Sequence, residues 1–400
     1  MFLASSVFLA GLLIFTAASF AVSLSNSVAS LLISRVVQGF GGSMIFGTSV
    51  AILTSVFPPG ERGRALGINV ATVYTGIALG PFLGGVLTQN FGWRSIFLVS
   101  VPLGLIAALL TFYWLKDEWA DASGSKFDLA GSILYGVALT SIIWGSLSFS
   151  NSGGGTTVAG LPLQTLLALL GGLLCLSLFI AWELRVPSPV LDLRLFRYNR
   201  VFAFSNLAAL INYSATYAIS FFLSLYLQLV KGLDAQIAGT ILVAQPVVQV
   251  LLSPAAGWLS DRIAPRLVAS LGIGINAAGL VAFILIDRGT DILLIIAVLM
   301  VMGVGFALFS SPNTNAIMGS VERNVFGIAS AMVSTMRLLG QVVSMAIAMV
   351  VLSIFVGTVV LSPANSEPFI AGLRAAFLIF SVLCVIGLFA SLARGKSVRT

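Results

Sequence analysis

A chain of 400 residues with 58% hydrophobic and only 8% charged residues, at a mean hydropathy of +1.09, cannot cover itself with a wetted surface; soluble domains carry about 25% charged residues. The net charge of +7 does not mark a nucleic-acid binder, because the basic residues sit in short loops between apolar runs and form no stripe with interleaved aromatics. The chain has no histidine, and its two cysteines, Cys175 and Cys384, both fall inside apolar runs, so neither a metal centre nor a disulfide framework is expected.

A bilayer core takes about 20 mostly apolar residues per helix. Such runs lie near 7–24, 29–56, 64–88, 95–114, 129–149, 163–182, 202–229, 236–258, 267–286, 292–313, 327–356 and 370–392, which is twelve. The first lacks the basic start of a secretory signal, since the first Lys or Arg is Arg35, and it reads as a spanning helix. Turn signals separate the runs at Pro58-Pro59-Gly60, Asn151-Ser152-Gly153-Gly154-Gly155, Pro187-Ser188-Pro189 and Pro363-Ala364-Asn365. A barrel would show alternating segments of about 10 residues instead. The expected class is therefore all-α integral membrane.

Lys and Arg in the connections set the orientation. One side carries Arg62, Arg64, Lys116, Lys126, Arg185, Arg194, Arg197, Arg200, Arg262, Arg266, Arg323, Arg394, Lys396 and Arg399; the other carries Arg94, Lys231 and Arg288. Fourteen against three makes the first side cytoplasmic, with both termini on it. Arg35, Arg337 and Arg374 fall within or at the edge of apolar runs, whereas all thirteen acidic residues lie in loops or at helix ends. No GxxxxGK[ST] loop is present, so a gradient rather than ATP is the expected energy source.

The third run contains Gly76, Gly80, Pro81, Gly84 and Gly85 in a GxxxGPxxGG pattern. Glycines at this spacing allow close helix packing, and proline favours a kink. The stretch resembles the antiporter motif of the major facilitator superfamily. Leu31–Gly41, with Arg35, Gln38 and Gly39, resembles the superfamily motif with an intramembrane arginine. Trp93-Arg94-Ser95-Ile96-Phe97, followed by Val101-Pro102-Leu103-Gly104, is similar to a signature of the fourteen-helix drug:proton antiporters of the EmrB/QacA type. Gly257-Trp258-Leu259-Ser260-Asp261-Arg262, continuing to Arg266, resembles the second copy of the GxLxDRxGR loop. An internal echo, Glu61-Arg62-Gly63-Arg64 against Glu322-Arg323-Asn324-Val325, fits two parallel repeats.

In that family the antiporter motif lies on the fifth helix, whereas here it lies on the third. The resemblance thus implies a fourteen-helix type minus two: a partial four-helix N-terminal bundle over residues 1–115, linkers with a central extra pair over 116–199, and a six-helix bundle over 200–400. It also implies proton-driven export of small amphipathic or hydrophobic compounds by alternating access, without a cofactor. The partners are then a lipid bilayer, a small-molecule substrate and protons, with neither nucleic acid nor ATP. The chain is expected to act as a monomer in the inner or plasma membrane. An exporter of one specific metabolite, and an N-terminally incomplete product without activity, are the other readings.

Arg35 and Gln38 are the proton-coupling candidates by resemblance; an arginine held by backbone carbonyls for packing is the other reading. Asp261, Arg262, Arg266, Glu322 and Arg323 form either a gate that latches one conformation or a simple positive-inside boundary. Asn212, Tyr213, Tyr217, Gln245, Gln249, Arg337 and Gln341 are candidates to line a central cavity or to bond between helices.

Overall fold

The computed structural model describes residues 4–115, 128–148, 157–158, 161–186, 189, 194–357 and 366–395. The predicted breaks at 151–155 and 363–365, together with Pro187, Ser188, Lys116, Lys126, Lys396 and Arg399, lie outside these residues. Of Pro81 only the backbone is described.

The helices are α1 (Ala4–Ser23), α2 (Val28–Val56), α3 (Arg62–Phe91), α4 (Arg94–Trp114), α5 (Leu129–Ser148), α6 (Leu163–Glu183), α7 (Arg194–Tyr198), α8 (Arg200–Thr216), α9 (Ile219–Leu225), α10 (Ala235–Leu242), α11 (Ala244–Arg262), α12 (Pro265–Ile284), α13 (Ile292–Met318), α14 (Phe326–Phe355) and α15 (Ser366–Leu392). A π-helical turn, Tyr226–Val230, extends α9, so Arg200–Val230 forms one crossing and Ala235–Arg262 another. Eleven helical spans are long and apolar enough to cross a membrane, and the shorter apolar stretch Leu129–Gly145 of α5 makes the twelfth. Each predicted run thus has its crossing. A two-residue hairpin, Thr157–Val158 against Leu161–Pro162, sits between α5 and α6.

Local chemistry sets the boundaries. Ser27 and Ser30 form a capping box on α2, and Asn199, Asp234 and Asp291 cap α8, α10 and α13 through their side chains. Gly92, at φ +80°, takes the left-handed conformation that lets α3 turn into α4. Pro102, Pro254 and Pro312 sit inside α4, α11 and α13, as neighbouring helices in a membrane bundle allow.

The main apolar core lies in the C-terminal half, where Phe222, Tyr226, Phe283, Phe377 and Phe380 are buried together. There α12 packs on α13 and α15, α11 on α13, and α8 on α14 and α15. In the N-terminal half α1 packs on α2 and α4, while α5 pairs with α6. Gly272 meets the Gly305 carbonyl so closely that a Cβ would stand 2.5 Å from it, the small-residue contact typical of membrane helices. The halves meet along a seam where α3 lies on α11 and α13, and α2 lies on α14.

Alternating crossings bring Arg62, Arg64, Arg262, Arg266, Arg323 and Arg394 to one end of the bundle, called here the arginine-rich end. At the other end the 285–291 turn gathers polar partners. Arg374 Nε donates to the Ile286 carbonyl at 2.8 Å, Lys231 Nζ to the Arg288 carbonyl at 2.6 Å, and Arg288 pairs with Glu367 at 2.9 Å. That exposed pair is the one ion pair seen among the described residues.

Candidate functional site

Three polar groupings stand out against the apolar background, and the first is built on α2. Arg35 and Gln38 lie one turn apart, so they share a face. Arg35 Nη1 donates to Gln38 Oε1 at 2.7 Å, Gln38 Nε2 donates to Ser19 Oγ of α1 at 2.7 Å, and Ser19 Oγ donates in turn to the Phe15 carbonyl at 2.7 Å. The guanidinium also lies 5.6 Å from the Phe97 ring centroid on α4, a cation–π contact. Gln38 is buried, but Arg35 itself is exposed, on a face of α2 that also exposes Leu32 and Val36. Ser19 carries no sequence signal, and Phe97 entered only through the Trp93–Phe97 signature; the packing of α1 against α2 and α4 reveals their place beside Arg35.

The antiporter-motif glycines are placed differently from the close packing their spacing predicts. A Cβ on Gly76, Gly80, Gly84 or Gly85 would meet nothing within 4 Å, because no described helix lies on that face of α3. The helix continues through Pro81 without a break. Close approach occurs instead near the start of α3, where a Cβ on Gly63 would overlap the Gly257 carbonyl and one on Gly67 would overlap that of Ser253. Beside these helices a groove of about 370 Å³ opens among α1 to α4, mixing Ser49, Asn69 and Thr111 with Phe8, Ile52 and Trp114.

The second grouping closes the arginine-rich end. Asp261, at the end of α11, accepts from the Gly63 amide at 2.8 Å and the Arg64 amide at 3.0 Å. These are orphan donors of the first turn of α3, and a carboxylate there also meets the positive end of the helix dipole. Asn315 of α13 donates to Asp261 Oδ1 at 3.2 Å and to Ser260 Oγ at 2.9 Å, while Ser311 Oγ donates to the Gly63 carbonyl at 3.2 Å. Arg262 turns away over Trp258, 4.0 Å from the ring centroid, and Arg266 Nη1 donates to the Gly395 carbonyl at 3.2 Å. Glu322 and Arg323 are exposed; Arg323 lies near Arg62, whose guanidinium covers Phe326. Asp261 therefore bonds to backbone rather than to the other members of its predicted cluster.

The third grouping crosses the seam at mid-depth. Tyr74 of α3 faces Tyr213 of α8, Gln249 of α11 and Arg337 of α14. Tyr213 Oη and Ser310 Oγ share a bond of 3.4 Å, and Arg337 lies 5.1 Å from the ring centroid of Phe46 on α2. Gln249 is 1% exposed, and its side-chain amide meets the Tyr74 hydroxyl. Deeper in the C-terminal half, Asn276 Nδ2 donates to Asn212 Oδ1 at 3.3 Å. Tyr217 is exposed, and Gln245 and Gln341 are half-buried. Tyr213, Gln249 and Arg337 thus come together, whereas Asn212 is an interhelical tie. Tyr74 was hidden in the sequence because it is one polar tip within an apolar run.

A description of the Major Facilitator Superfamily matches residues 3–345 and 205–399, that is, almost the whole chain and its second half again. The chain belongs to the Major Facilitator Superfamily. Within the superfamily it is similar to the riboflavin transporter RibZ of Clostridioides difficile, 31% identical over 82% of this chain and 69% of that one. It is 30% identical to the uncharacterized transporter YebQ of Escherichia coli over 96% of this chain and 80% of that one. It is 31% identical to the cephamycin export protein CmcT of Amycolatopsis lactamdurans over 86% and 71%. The human organic anion transporter MFSD10 (TETRAN) shares the fold, with a TM-score of 0.66 at 14% identity over 97% of this chain and 77% of that one. As a facilitator the protein is a multi-pass membrane transporter of small molecules, not an enzyme.

Proposed function

We propose that this facilitator exports small amphipathic or hydrophobic compounds from the cell in exchange for protons, by alternating access and as a monomer. The arginine-rich end is cytoplasmic, following the positive-inside bias. Residues 1–115 and 200–400 rock against each other, with the 116–199 pair beside them. The observation that carries this reading is the seam at the arginine-rich end. Asp261, the Ser311 hydroxyl on the Gly63 carbonyl, bare glycine contacts and Arg62 over Phe326 hold it. Short polar ties of this kind can exchange as the halves rock, and beside them α2 meets α14 through a small apolar cluster around Ala51, Phe326 and Met332 that must slide with them. Substrate enters the polar centre of Tyr74, Tyr213, Gln249 and Arg337 when the seam opens.

Coupling is assigned to Arg35, steadied by Gln38 and Ser19. A lipid-facing arginine costs at least about 2.5–3.5 kcal/mol, so its exposed face calls for a protein cover. Purified protein in vesicles with an imposed pH gradient tests this. The protein should move a lipophilic dye against the direction of proton flow, driven by the pH gradient, and Arg35→Ala should abolish coupled flux. Flux that persists in Arg35→Ala, with the same pH dependence, rejects the assignment. An exporter of one specific metabolite is the second reading, favoured by relatives named for single compounds, riboflavin and cephamycin. Competition between dye and a panel of unrelated amphiphiles separates the two.

A further inference from the structure

Arg394, just past α15 at the arginine-rich end, is the largest fully buried side chain in the protein's described part, at 1% exposure. Its Nη2 donates to Ser391 Oγ at 2.8 Å, but its Nε and Nη1 have no partner. Burial pushes the guanidinium down to about 9, so it still carries its charge at neutral pH. No acidic side chain among the described residues pairs with it, and the neighbouring Arg266 adds a second cation bound only to the Gly395 carbonyl. An unpaired buried cation with two unused donors is among the costliest arrangements a protein holds.

Beside it lies the mouth of an open apolar groove of about 460 Å³ between α12 and α15, lined by Leu267, Leu271, Ile275, Ala278, Leu388 and Leu392. Ser270, also on the groove, bonds Ser391 at 2.6 Å, so one hydroxyl pair links the groove to Arg394. The groove follows the outer surface of two spanning helices, where lipid chains run. Its charge is positive at one end and absent along its length.

We propose that this groove binds an anionic phospholipid of the leaflet at the arginine-rich end, one acyl chain lying between α12 and α15 and the phosphate held by Arg394 with Arg266 at the rim. The phosphate takes up the guanidinium donors that the protein leaves unused, through charge-assisted bonds of the kind basic pockets between membrane helices make. Lipid occupancy then ties α12 to α15 and steadies the C-terminal half.

The test uses the full chain in non-ionic detergent and counts bound lipid by native mass spectrometry. Phosphatidylglycerol is compared with phosphatidylcholine of the same chains, with inorganic phosphate as competitor. One phosphatidylglycerol should bind about tenfold more tightly than phosphatidylcholine, whose choline cation neutralises the phosphate and is repelled by the two arginines, the scale of about 1 kcal/mol per arginine facing an anionic headgroup. Arg394→Gln should remove that preference. So should Gly274→Phe, which fills the groove from α12 at a position where a Cβ meets nothing within 4 Å and leaves every arginine in place. If Arg394→Gln fails to fold, Gly274→Phe decides alone. Equal binding of the two lipids overturns the proposal. So does a preference that Gly274→Phe leaves intact, or displacement of the lipid by phosphate.

Discussion

Replacing Gly257 by valine strains the seam more directly than any other single change. A Cβ on Gly257 would overlap the Gly63 carbonyl of α3 and stand 2.8 Å from Ser311 Oγ of α13. The obstructing atoms are mostly backbone, so no side chain can swing aside, and the helices must part. Overpacking of this kind costs about 1–3 kcal/mol. Because the contact joins the two halves rather than the core of either, the strain falls on the arrangement closed at the arginine-rich end. A penalty of about 3 kcal/mol shifts such an equilibrium by roughly 150-fold. Ser253, fully buried one turn further along α11, reports the opening. In a Cys175→Ser, Cys384→Ser background, Ser253→Cys should react slowly with a polar maleimide, and adding Gly257→Val should accelerate it at least tenfold, the shift expected from about 1.4 kcal/mol. Gly239→Val, where a Cβ meets nothing within 4 Å, is the control for valine in a helix. A folded Gly257→Val protein whose labelling rate equals that of the control would refute the reasoning.

Asp261→Asn keeps the size of the cap but removes the charge facing the start of α3, worth about 0.3–1 kcal/mol and up to about 2 when partly buried; the same labelling rate should rise several-fold, and an unchanged rate counts against the cap. Gln249→Leu removes the amide that meets the Tyr74 hydroxyl at the seam, so the unfolding free energy should fall by about 0.5–1.5 kcal/mol and transport should fall with it; a gain of stability in a denaturant titration would show that the amide is unpaired. Gln38→Leu takes the acceptor from Arg35 and the donor from Ser19, and should lower stability by about 1–3 kcal/mol and uncouple flux from the pH gradient. At the opposite end, the hydrogen bond from Thr290 holds the Asp287 carboxyl below its ordinary value, helped by the Gly289 and Thr290 amides and by Arg374. With the folded value depressed, this support is present above the ordinary aspartate range and is lost as pH falls through the folded value. Amide exchange of the 285–291 turn should therefore quicken on acidification, and Thr290→Val should move that onset to higher pH; an onset that stays put would exclude the hydroxyl as its cause.

The twelve crossings were legible in the sequence because a bilayer imposes a local demand, about 20 apolar residues per helix, and each run meets it on its own. The pairing of Arg35 with Gln38 was equally legible, since helical spacing fixes which neighbours share a face. The glycines of α3 show where that reasoning ends. Spacing says that a backbone can be approached closely, but not which helix approaches, and Gly63 and Gly67 make the contacts while Gly76 to Gly85 stand open. Asp261 was visible as a charge in a recognisable loop, yet it accepts from backbone amides 197 and 198 residues away and from the Asn315 side chain on α13. Arg394 read as one more positive charge of a topology bias, whereas the packing of α12 against α15 buries it. Hydropathy along the chain decides that a helix spans; only the meeting of distant helices decides which polar atoms are satisfied, and the donors left unsatisfied at Arg394 are where the protein has room for something other than itself.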